Sequence, residues 1–222
     1  MKTALILGST GLIGSLLLDK LLNHSSYSKV ITIVRKPQQF NHPKLVEIIT
    51  DFNSEIKLNE IEKIDSIFSC LGTTRKKTPD LVVYHKIEVD IPNQFAKLGN
   101  QKGLTKFHYI SAVGANASSS NFYLKMKGEA EKTLENNGLK QLFLYRPSLL
   151  IGNRAEYRLT ENISAKIFPL INFFPRGNLS KYKSIEAEKV AQSLLANDLH
   201  ATTEKISVLH YNEIINSINT KK

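Results

Sequence analysis

The chain has 222 residues, of which 41% are hydrophobic and 23% are charged, and it is long enough to form one domain with a large core. Its formal net charge is +10, but the longest basic run is Arg75-Lys76-Lys77, which favours a generally basic surface over a nucleic-acid site. A single cysteine excludes an internal disulfide framework and predicts a reducing compartment, the cytoplasm. No apolar run approaches the ~18 residues that cross a bilayer, so we expect no membrane association.

The first segment with a clear pattern reads as strand, glycine turn and helix. Residues 4–7 are apolar, Gly8, Gly11 and Gly14 follow, and an apolar stripe then repeats at helical spacing. In a dinucleotide site the first glycine permits the tight turn, the second lets the backbone approach a pyrophosphate, and the third lets the helix lie against its strand. The pattern predicts such a site, although a purely structural glycine-rich turn stays open.

Further strands and helices alternate along the chain. Apolar runs predict strands over residues 4–7, 29–34, 45–50, 64–71, 106–111, 142–145 and 205–209, and helices after the glycine turn and over 79–100, 122–136, 160–171 and 184–197. This alternation predicts an α/β fold: a Rossmann-like doubly wound parallel sheet with flanking helices. Pro92 predicts a kink in the helix over 79–100.

No linker or repeat divides the chain, so we expect a single domain over 1–222. A cofactor-binding core would occupy residues 1–150, and a short carboxyl-terminal extension over 151–222 would form the roof above the substrate. Arg154, Tyr157, Arg158 and Arg176 lie in that extension, where they either receive an anionic substrate or are simply exposed, and we favour exposure. His108 and Tyr109 share a strand, so their side chains point to opposite faces and both are expected to pack.

The end of the second predicted strand bears on the identity of the cofactor. An acid at this position hydrogen-bonds the ribose 2′-hydroxyl of NAD, whereas an arginine accommodates the 2′-phosphate of NADP. Arg35 and Lys36 stand there, which predicts NADP, with NAD and a merely solvated strand end as alternatives. Asp51 follows the third predicted strand, where it either contacts the adenine or begins the next turn.

Two residues near the end of the fourth predicted strand are further candidates. Gly72 follows that strand, where a glycine lets the backbone lie against a ligand. Cys70 is expected to be a small buried hydrophobe and not a nucleophile, because no basic residue is placed by spacing to activate it.

A tyrosine and a lysine four residues apart provide the candidate chemistry. Tyr123 and Lys127 share one face of the helix over 122–136, and Ser111 ends the fifth predicted strand. A phenol has a pKa near ~10, and a neighbouring ammonium lowers it toward the range that acid–base catalysis needs. Ser111 would hydrogen-bond the substrate oxygen. Taken alone, the Tyr–Lys pair is also explained by a solvated helix face. Because Ser111, Tyr123 and Lys127 follow a glycine turn in the chain, in this order, we favour a catalytic role for the three residues.

The segments 8–14, 70–74, 123–129 and 146–148, together with Ser111, resemble the short-chain dehydrogenase/reductase superfamily. More closely they resemble its atypical branch, related to the mammalian Tat-interacting protein and to small bacterial NAD(P)-binding, epimerase-like proteins. The resemblance implies that Tyr123 is the acid/base and that Lys127 holds the nicotinamide ribose. The expected cofactor-binding residues are Gly8, Ser9, Thr10, Gly11, Leu12, Ile13, Gly14, Arg35, Lys36, Asp51, Cys70, Leu71, Gly72, Thr73, Tyr123, Lys127, Arg146 and Pro147.

The resemblance implies an NADP-dependent oxidoreductase that moves a hydride between nicotinamide and a small carbonyl or alcohol. Because some members of the branch are regulatory, a non-catalytic NADP(H)-binding redox sensor or protein scaffold is the alternative, and an NAD(P)-dependent epimerase or isomerase is a third. A homodimer is possible, and a protein partner would accompany a regulatory role. The six histidines lack the spacing of metal ligands, so we expect no metal site.

Overall fold

A computed structural model describes residues 1–52, 61–152 and 177–219. Within these ranges the strands, in chain order, are β1 (Lys2–Leu7), β2 (Tyr27–Val34), β3 (Leu45–Ile49), β4 (Ser66–Ser69), β5 (Lys106–Ile110), β6 (Gln141–Tyr145), β7 (Leu150–Ile151), β8 (Ile185–Glu186) and β9 (Ile206–Leu209). Seven of them form one sheet in the order β3-β2-β1-β4-β5-β6-β9, and every neighbouring pair is parallel. The predicted Rossmann-like sheet is therefore confirmed.

Helices cover both faces of this sheet. In chain order they are α1 (Leu12–Asn23), α2 (Leu81–His85), α3 (Ile91–Gln101), α4 (Phe122–Glu135), α5 (Ala187–Leu199) and α6 (Tyr211–Asn219). A π-helical turn (Lys86–Asp90) joins α2 to α3, and a 3₁₀ helix spans Gly177–Tyr182. No helix in the described part of the chain has the length and apolarity needed to span a membrane.

Alternate residues of each strand enter two separate cores. On β1, Leu5 and Leu7 face a core shared with α3 and α4, whereas Ala4 and Ile6 face a core shared with α1, α5 and α6. All four side chains are fully buried. Because both faces are covered, the strands are continuously apolar rather than alternating.

Several helices and strands have bounds that differ from the predicted ones. The fourth strand is shorter than the predicted 64–71, and the kink expected at Pro92 is instead the π-helical turn that ends just before it, with Pro92 in the first turn of α3. The helix predicted over 184–197 starts only at Ala187, as α5, after a short strand that was not predicted. The predicted helix over 160–171 lies outside the described residues.

A buried polar network closes the sheet at the amino-terminal ends of its strands. The Asp198 carboxylate, near the end of α5, accepts hydrogen bonds from Lys2 Nζ at 2.9 Å and Tyr27 Oη at 2.5 Å, and also from Ser66. His108 Nε2 lies 3.3 Å from the same carboxylate. The network thus joins four strands to one helix, at the edge of the sheet opposite the carboxyl ends where ligands bind in such folds.

His108 packs as predicted but is also hydrogen-bonded. Its ring is stacked between Phe68 and Phe143, with centroids 4.6 and 4.7 Å away. Burial lowers the pKa of His108, more than the hydrogen bond to Asp198 raises it, so the ring is neutral and Nε2–H donates to Asp198. Nδ1 then accepts from the Tyr145 hydroxyl at 3.2 Å.

Candidate active site

The glycine turn brings α1 directly against the end of β1. Gly8 has a φ of +79°, and a Cβ there would lie 2.8 Å from the Cys70 carbonyl oxygen. A Cβ on Gly14 would lie 2.1 Å from the Gly8 carbonyl oxygen. Only glycine fits at these two positions. Gly11 is the N-cap of α1 and has no side chain to accept from the first-turn N–H groups, so these groups are left to attract an anion.

A cleft opens beside this turn, at the carboxyl ends of β1, β4, β5 and β6. It brings together nine of the nineteen predicted site residues and five that were not predicted. The predicted residues in its lining are Gly11, Leu12, Ile13, Cys70, Leu71, Ser111, Tyr123, Lys127 and Pro147. The additional ones are Ile110, Ser148, Leu149, Leu150 and Gly152.

Ser111 presents a buried hydroxyl to this cleft. The residue is 3% exposed, and its backbone N–H donates to the Tyr145 carbonyl oxygen at 2.7 Å, which fixes it at the end of β5. Within the described ranges Ser111 Oγ has no hydrogen-bond partner. A buried polar atom without a partner is costly, so this hydroxyl is suited to bonding a bound ligand.

Lys127 is buried among three oxygen atoms. Its Nζ lies 2.8 Å from Glu88 Oε2 and donates to the Ile110 carbonyl oxygen at 2.9 Å and to Tyr109 Oη at 3.3 Å. Burial alone would lower the pKa of the ammonium, but Glu88, Tyr109 and Tyr123 together outweigh burial, with Glu88 contributing most among them, and hold this pKa above its ordinary value. Lys127 is therefore a permanent cation at the side of the cleft.

Glu88 and Tyr109 are site residues that the sequence analysis missed. Glu88 lies in the π-helical turn, is 1% exposed, and also accepts the Thr73 backbone N–H at 2.8 Å through Oε1. Tyr109, predicted only to pack, contacts the lysine and donates to the Glu88 carbonyl oxygen at 3.2 Å. The available signal for Glu88 was a carboxylate between Ile87 and Val89 in a helical segment, since buried glutamates need a partner.

Tyr123 lies in the first turn of α4, one helical turn before Lys127. The Asn121 side chain caps this helix by accepting the Leu124 N–H at 3.1 Å, which fixes where α4 starts. Tyr123 is half-buried, lines the cleft, and interacts electrostatically with the Lys127 ammonium. The serine, the phenol and the ammonium are therefore on one wall of one cleft.

The residues predicted to select the cofactor lie farther along the sheet edge. Arg35 and Lys36 are exposed just after β2. Ser9 is buried, and its hydroxyl accepts a hydrogen bond from Gln38 Nε2 at 3.1 Å. The Gln38 backbone N–H in turn donates to Glu47 at 3.0 Å, so the segment after β2 is tied both to the glycine turn and to β3.

Several other predicted site residues do not line the cleft. The Arg146 guanidinium is turned away, because it makes two hydrogen bonds to the Glu131 carboxylate, at 2.9 and 2.5 Å. Asp51 is exposed beyond β3. Cys70 does line the cleft, but burial raises the pKa of its thiol to about 12, which makes it a poor nucleophile. The remaining predicted residues outside the lining are Gly8, Thr10, Gly14, Gly72 and Thr73.

Residues 153–176 of the predicted roof fall outside the described residues, and these include Arg154, Tyr157, Arg158 and Arg176. Of the roof, the structure describes Ile151, Gly152 and residues 177–219, and Gly152 reaches the cleft against Leu12. A search of the described chain for three or more clustered metal-ligating side chains finds none.

The strand order, the glycine turn at the first crossover and the cleft at the carboxyl edge define a Rossmann-like dinucleotide-binding protein. Comparison with known families agrees with this class. The chain belongs to the NAD(P)H-binding family, whose model matches residues 8–197.

Named relatives support the same placement. The chain is 32% identical over 177 residues to Protein HTATIP2 of Rattus norvegicus, and the match covers 75% of this chain and 70% of that protein. It is 29% identical over 229 residues to Protein fmp52, mitochondrial, of Aspergillus niger, which covers 97% of each. These matches confirm the resemblance that the sequence motifs indicated.

Solved structures share the fold at low identity. A UDP-N-acetylglucosamine 4-epimerase from Methanobrevibacter ruminantium is 17% identical with a TM-score of 0.68, and the match covers 94% of this chain and 76% of that one. MoeE5 in complex with UDP-glucose and NAD is 19% identical with a TM-score of 0.65, over 96% and 80% of the two chains.

The predicted cytoplasmic location is wrong in the light of these relatives. Protein fmp52 of Aspergillus niger and Protein FMP52 of Debaryomyces hansenii are both named as mitochondrial. The prediction depended on a single cysteine, which indicates a reducing environment but does not distinguish one reducing compartment from another.

Proposed function

We propose that this protein is an NADP-dependent oxidoreductase that moves a hydride between nicotinamide and a small carbonyl or alcohol. The observation that carries the proposal is the composition of the cleft. One wall is the glycine turn at the start of α1, and another presents Ser111, Tyr123 and Lys127. A dinucleotide site and an acid–base pair thus share one opening.

The residues present fit such a cofactor. The tight approach of Gly14 to the Gly8 backbone leaves the first turn of α1 open toward the cleft, where a pyrophosphate would bind its N–H groups. Arg35 and Lys36 would hold the 2′-phosphate, and Lys127 would hold the nicotinamide ribose. When bound, the cofactor supplies the hydride chemistry, whereas the protein supplies orientation and electrostatics.

The side chains of the cleft divide the remaining chemistry. In the direction of carbonyl reduction, Tyr123 donates its phenolic proton to the substrate oxygen as the carbonyl carbon gains a hydride. The Ser111 hydroxyl donates a hydrogen bond to the same oxygen and stabilises its developing negative charge. The Lys127 ammonium stabilises the phenolate that remains on Tyr123. In the reverse direction the phenolate accepts the alcohol proton.

The cofactor preference can be tested directly by titrating the protein with NADPH and NADH and following nicotinamide fluorescence. We expect tighter binding of NADPH, and a loss of about tenfold or more in Arg35→Ala, because a charge-assisted hydrogen bond to the 2′-phosphate is removed. NADH affinity should not change. Lys29→Ala is the matched control, since Lys29 is an exposed cation on β2, the strand that Arg35 follows. Equal losses in the two variants would contradict the role of Arg35.

The chemistry is tested with Tyr123→Phe, which removes one hydroxyl from the cleft. We expect NADPH affinity to stay within about twofold and turnover on a panel of small aldehydes and ketones to fall by about a hundredfold or more, because general acid catalysis is lost. Full activity in the phenylalanine variant would exclude Tyr123 as the acid.

The arrangement around Lys127 also favours a second candidate, a non-catalytic NADP(H) sensor. An ammonium has three N–H donors, and Glu88, Ile110 and Tyr109 already offer three acceptors. A lysine held in this way also suits a purely structural role. The sensor predicts tight NADPH binding without oxidation by any member of the carbonyl panel, together with a partner whose binding depends on the cofactor.

A further inference from the structure

Glu88 joins two parts of the candidate site that are distant in sequence. Its Oε2 lies 2.8 Å from Lys127 Nζ on α4, and its Oε1 accepts the Thr73 backbone N–H at 2.8 Å, in the loop after β4. The side chain is buried, and the π-helical turn that carries it lies against α4. One carboxylate therefore fixes the distance between the lysine and a loop whose residues Gly72 and Thr73 are predicted to bind the cofactor.

We propose that Glu88 is a positioning residue for cofactor binding: its carboxylate keeps Lys127 charged and directed into the cleft while holding the Thr73 loop beside it. The inference depends on the proposed function, because it assigns Lys127 to the cofactor. Glu88 itself acts through Lys127 and Thr73 and does not line the cleft.

The charged groups around Lys127 determine the direction in which NADPH binding should change with pH. In the described structure the ionisable groups acting on the ammonium are Glu88 from the π-helical turn, Tyr109 from β5, Cys70 after β4 and Tyr123 from α4. Burial raises the pKa of Tyr109 and of Cys70, so both are neutral at neutral pH. Among these groups Glu88 makes the largest contribution that opposes the effect of burial on Lys127.

Glu88→Gln removes this charge with little change of shape. The glutamine amide oxygen still accepts the Thr73 N–H, but its NH₂ group now faces the ammonium. Without this carboxylate the effect of burial on Lys127 dominates and lowers its pKa, so the ammonium loses its proton as the pH rises. The variant should bind NADPH progressively more weakly in alkaline solution.

The experiment is an NADPH fluorescence titration at several pH values from about 7 to about 9.5. The wild-type dissociation constant should be constant over this range, and that of Glu88→Gln should rise by about tenfold, since losing one charge-assisted bond costs about that factor. Glu135→Gln is the matched control. Glu135 is an exposed carboxylate at the end of α4 and outside the cleft, so the pH profile of this variant should be flat.

A second variant tests whether Glu88 acts through Lys127. In Lys127→Met combined with Glu88→Gln the titrating ammonium is absent, so binding should be uniformly weak and independent of pH. Persistence of the pH dependence in this double variant would overturn the proposal. The proposal would also be overturned if the dissociation constants of the wild type and of Glu88→Gln depended on pH in the same way.

The wild type alone also tests the proposal, even if Glu88→Gln fails to fold. An increase of the wild-type dissociation constant between pH ~7 and ~9.5 would show that Lys127 is not held charged, since an ordinary lysine stays protonated until pH ~10.4. Absence of NADPH binding by the wild type at every pH would overturn the proposed function itself. NADPH binding with an unshifted Glu88→Gln profile would overturn the role of Glu88 alone.

Discussion

Replacing Asp198 with asparagine should strongly destabilise the protein without touching the cleft. The carboxylate accepts from Lys2 and Tyr27 through Oδ2 and faces Ser66 and His108 through Oδ1. An asparagine keeps one acceptor oxygen, but its NH₂ group must face two of the four donors. The substitution also removes the fully buried carboxylate of the ion pair with Lys2, whose ammonium keeps the Asp198 carbonyl oxygen as an acceptor at 2.6 Å.

The expected cost follows from these contacts. Removing one partner of a buried ion pair costs about 3–5 kcal/mol, because the remaining charge is uncompensated. Total stabilities are about 5–15 kcal/mol, so the loss is a large fraction of the whole. With a urea slope of ~2–3 kcal/mol per M, the unfolding midpoint should fall by about 1–2 M.

The assay is urea unfolding followed by circular dichroism at pH 7. Asp19→Asn is the matched control, since Asp19 is an exposed carboxylate on α1 that bonds only Asn23 among the described side chains. Its midpoint should stay within about 0.2 M of the wild type, as is usual for surface substitutions. If Asp198→Asn shifts no more than this control, the network does not stabilise the fold as argued.

The same carboxylate predicts how stability depends on pH. Burial alone would raise the pKa of Asp198, but the hydrogen bond from His108 and the charge of Lys2 outweigh it and hold this pKa below its usual range. A depressed pKa stabilises the folded state at pH values above the unfolded-state value, about 3.9, and this contribution is lost as the pH falls further. The difference between the wild type and Asp198→Asn should therefore shrink below pH ~4.

Two further substitutions or probes test the site region. Gly14→Ala should lower the unfolding free energy by about 1–3 kcal/mol or more and abolish NADPH binding. The reason is that the new methyl group overlaps the Gly8 carbonyl and pushes α1 off β1. An alanine variant with unchanged melting temperature and NADPH affinity would contradict this prediction. The Cys70 thiol, with its pKa at about 12, should react with Ellman's reagent at pH 8 at least about a hundred times more slowly than in urea-unfolded protein, and bound NADPH should slow it further.

The elements that the sequence predicted well are those with a strong local pattern. The apolar runs that became β1, β2 and β5 are buried on both faces, so their composition alone identified them. The two-residue strands β7 and β8 are too short to show any period. Helix α6 was missed for a related reason, since Ile214 is its one fully buried residue.

Prediction of the candidate site was limited by contacts between distant segments. The i, i+4 spacing put Tyr123 and Lys127 on one helix face, and both line the cleft. The same spacing says nothing about what surrounds the ammonium. Glu88 and Tyr109 reach Lys127 across 39 and 18 positions of sequence, so tertiary packing alone brings them there. The bond between Gln38 and Ser9 was missed for the same reason.

The π-helical turn at Lys86–Asp90 has a consequence for reading the sequences of relatives. A π turn holds one more residue than an α-helical turn, so deleting a single residue there would restore a regular helix from α2 into α3. Because the π turn accommodates its extra residue locally, α2 and α3 would keep their phase, and only the residues within the turn, Glu88 among them, would be redirected. In an alignment, a one-residue gap at this turn would therefore mark a relative whose lysine has lost its buried carboxylate.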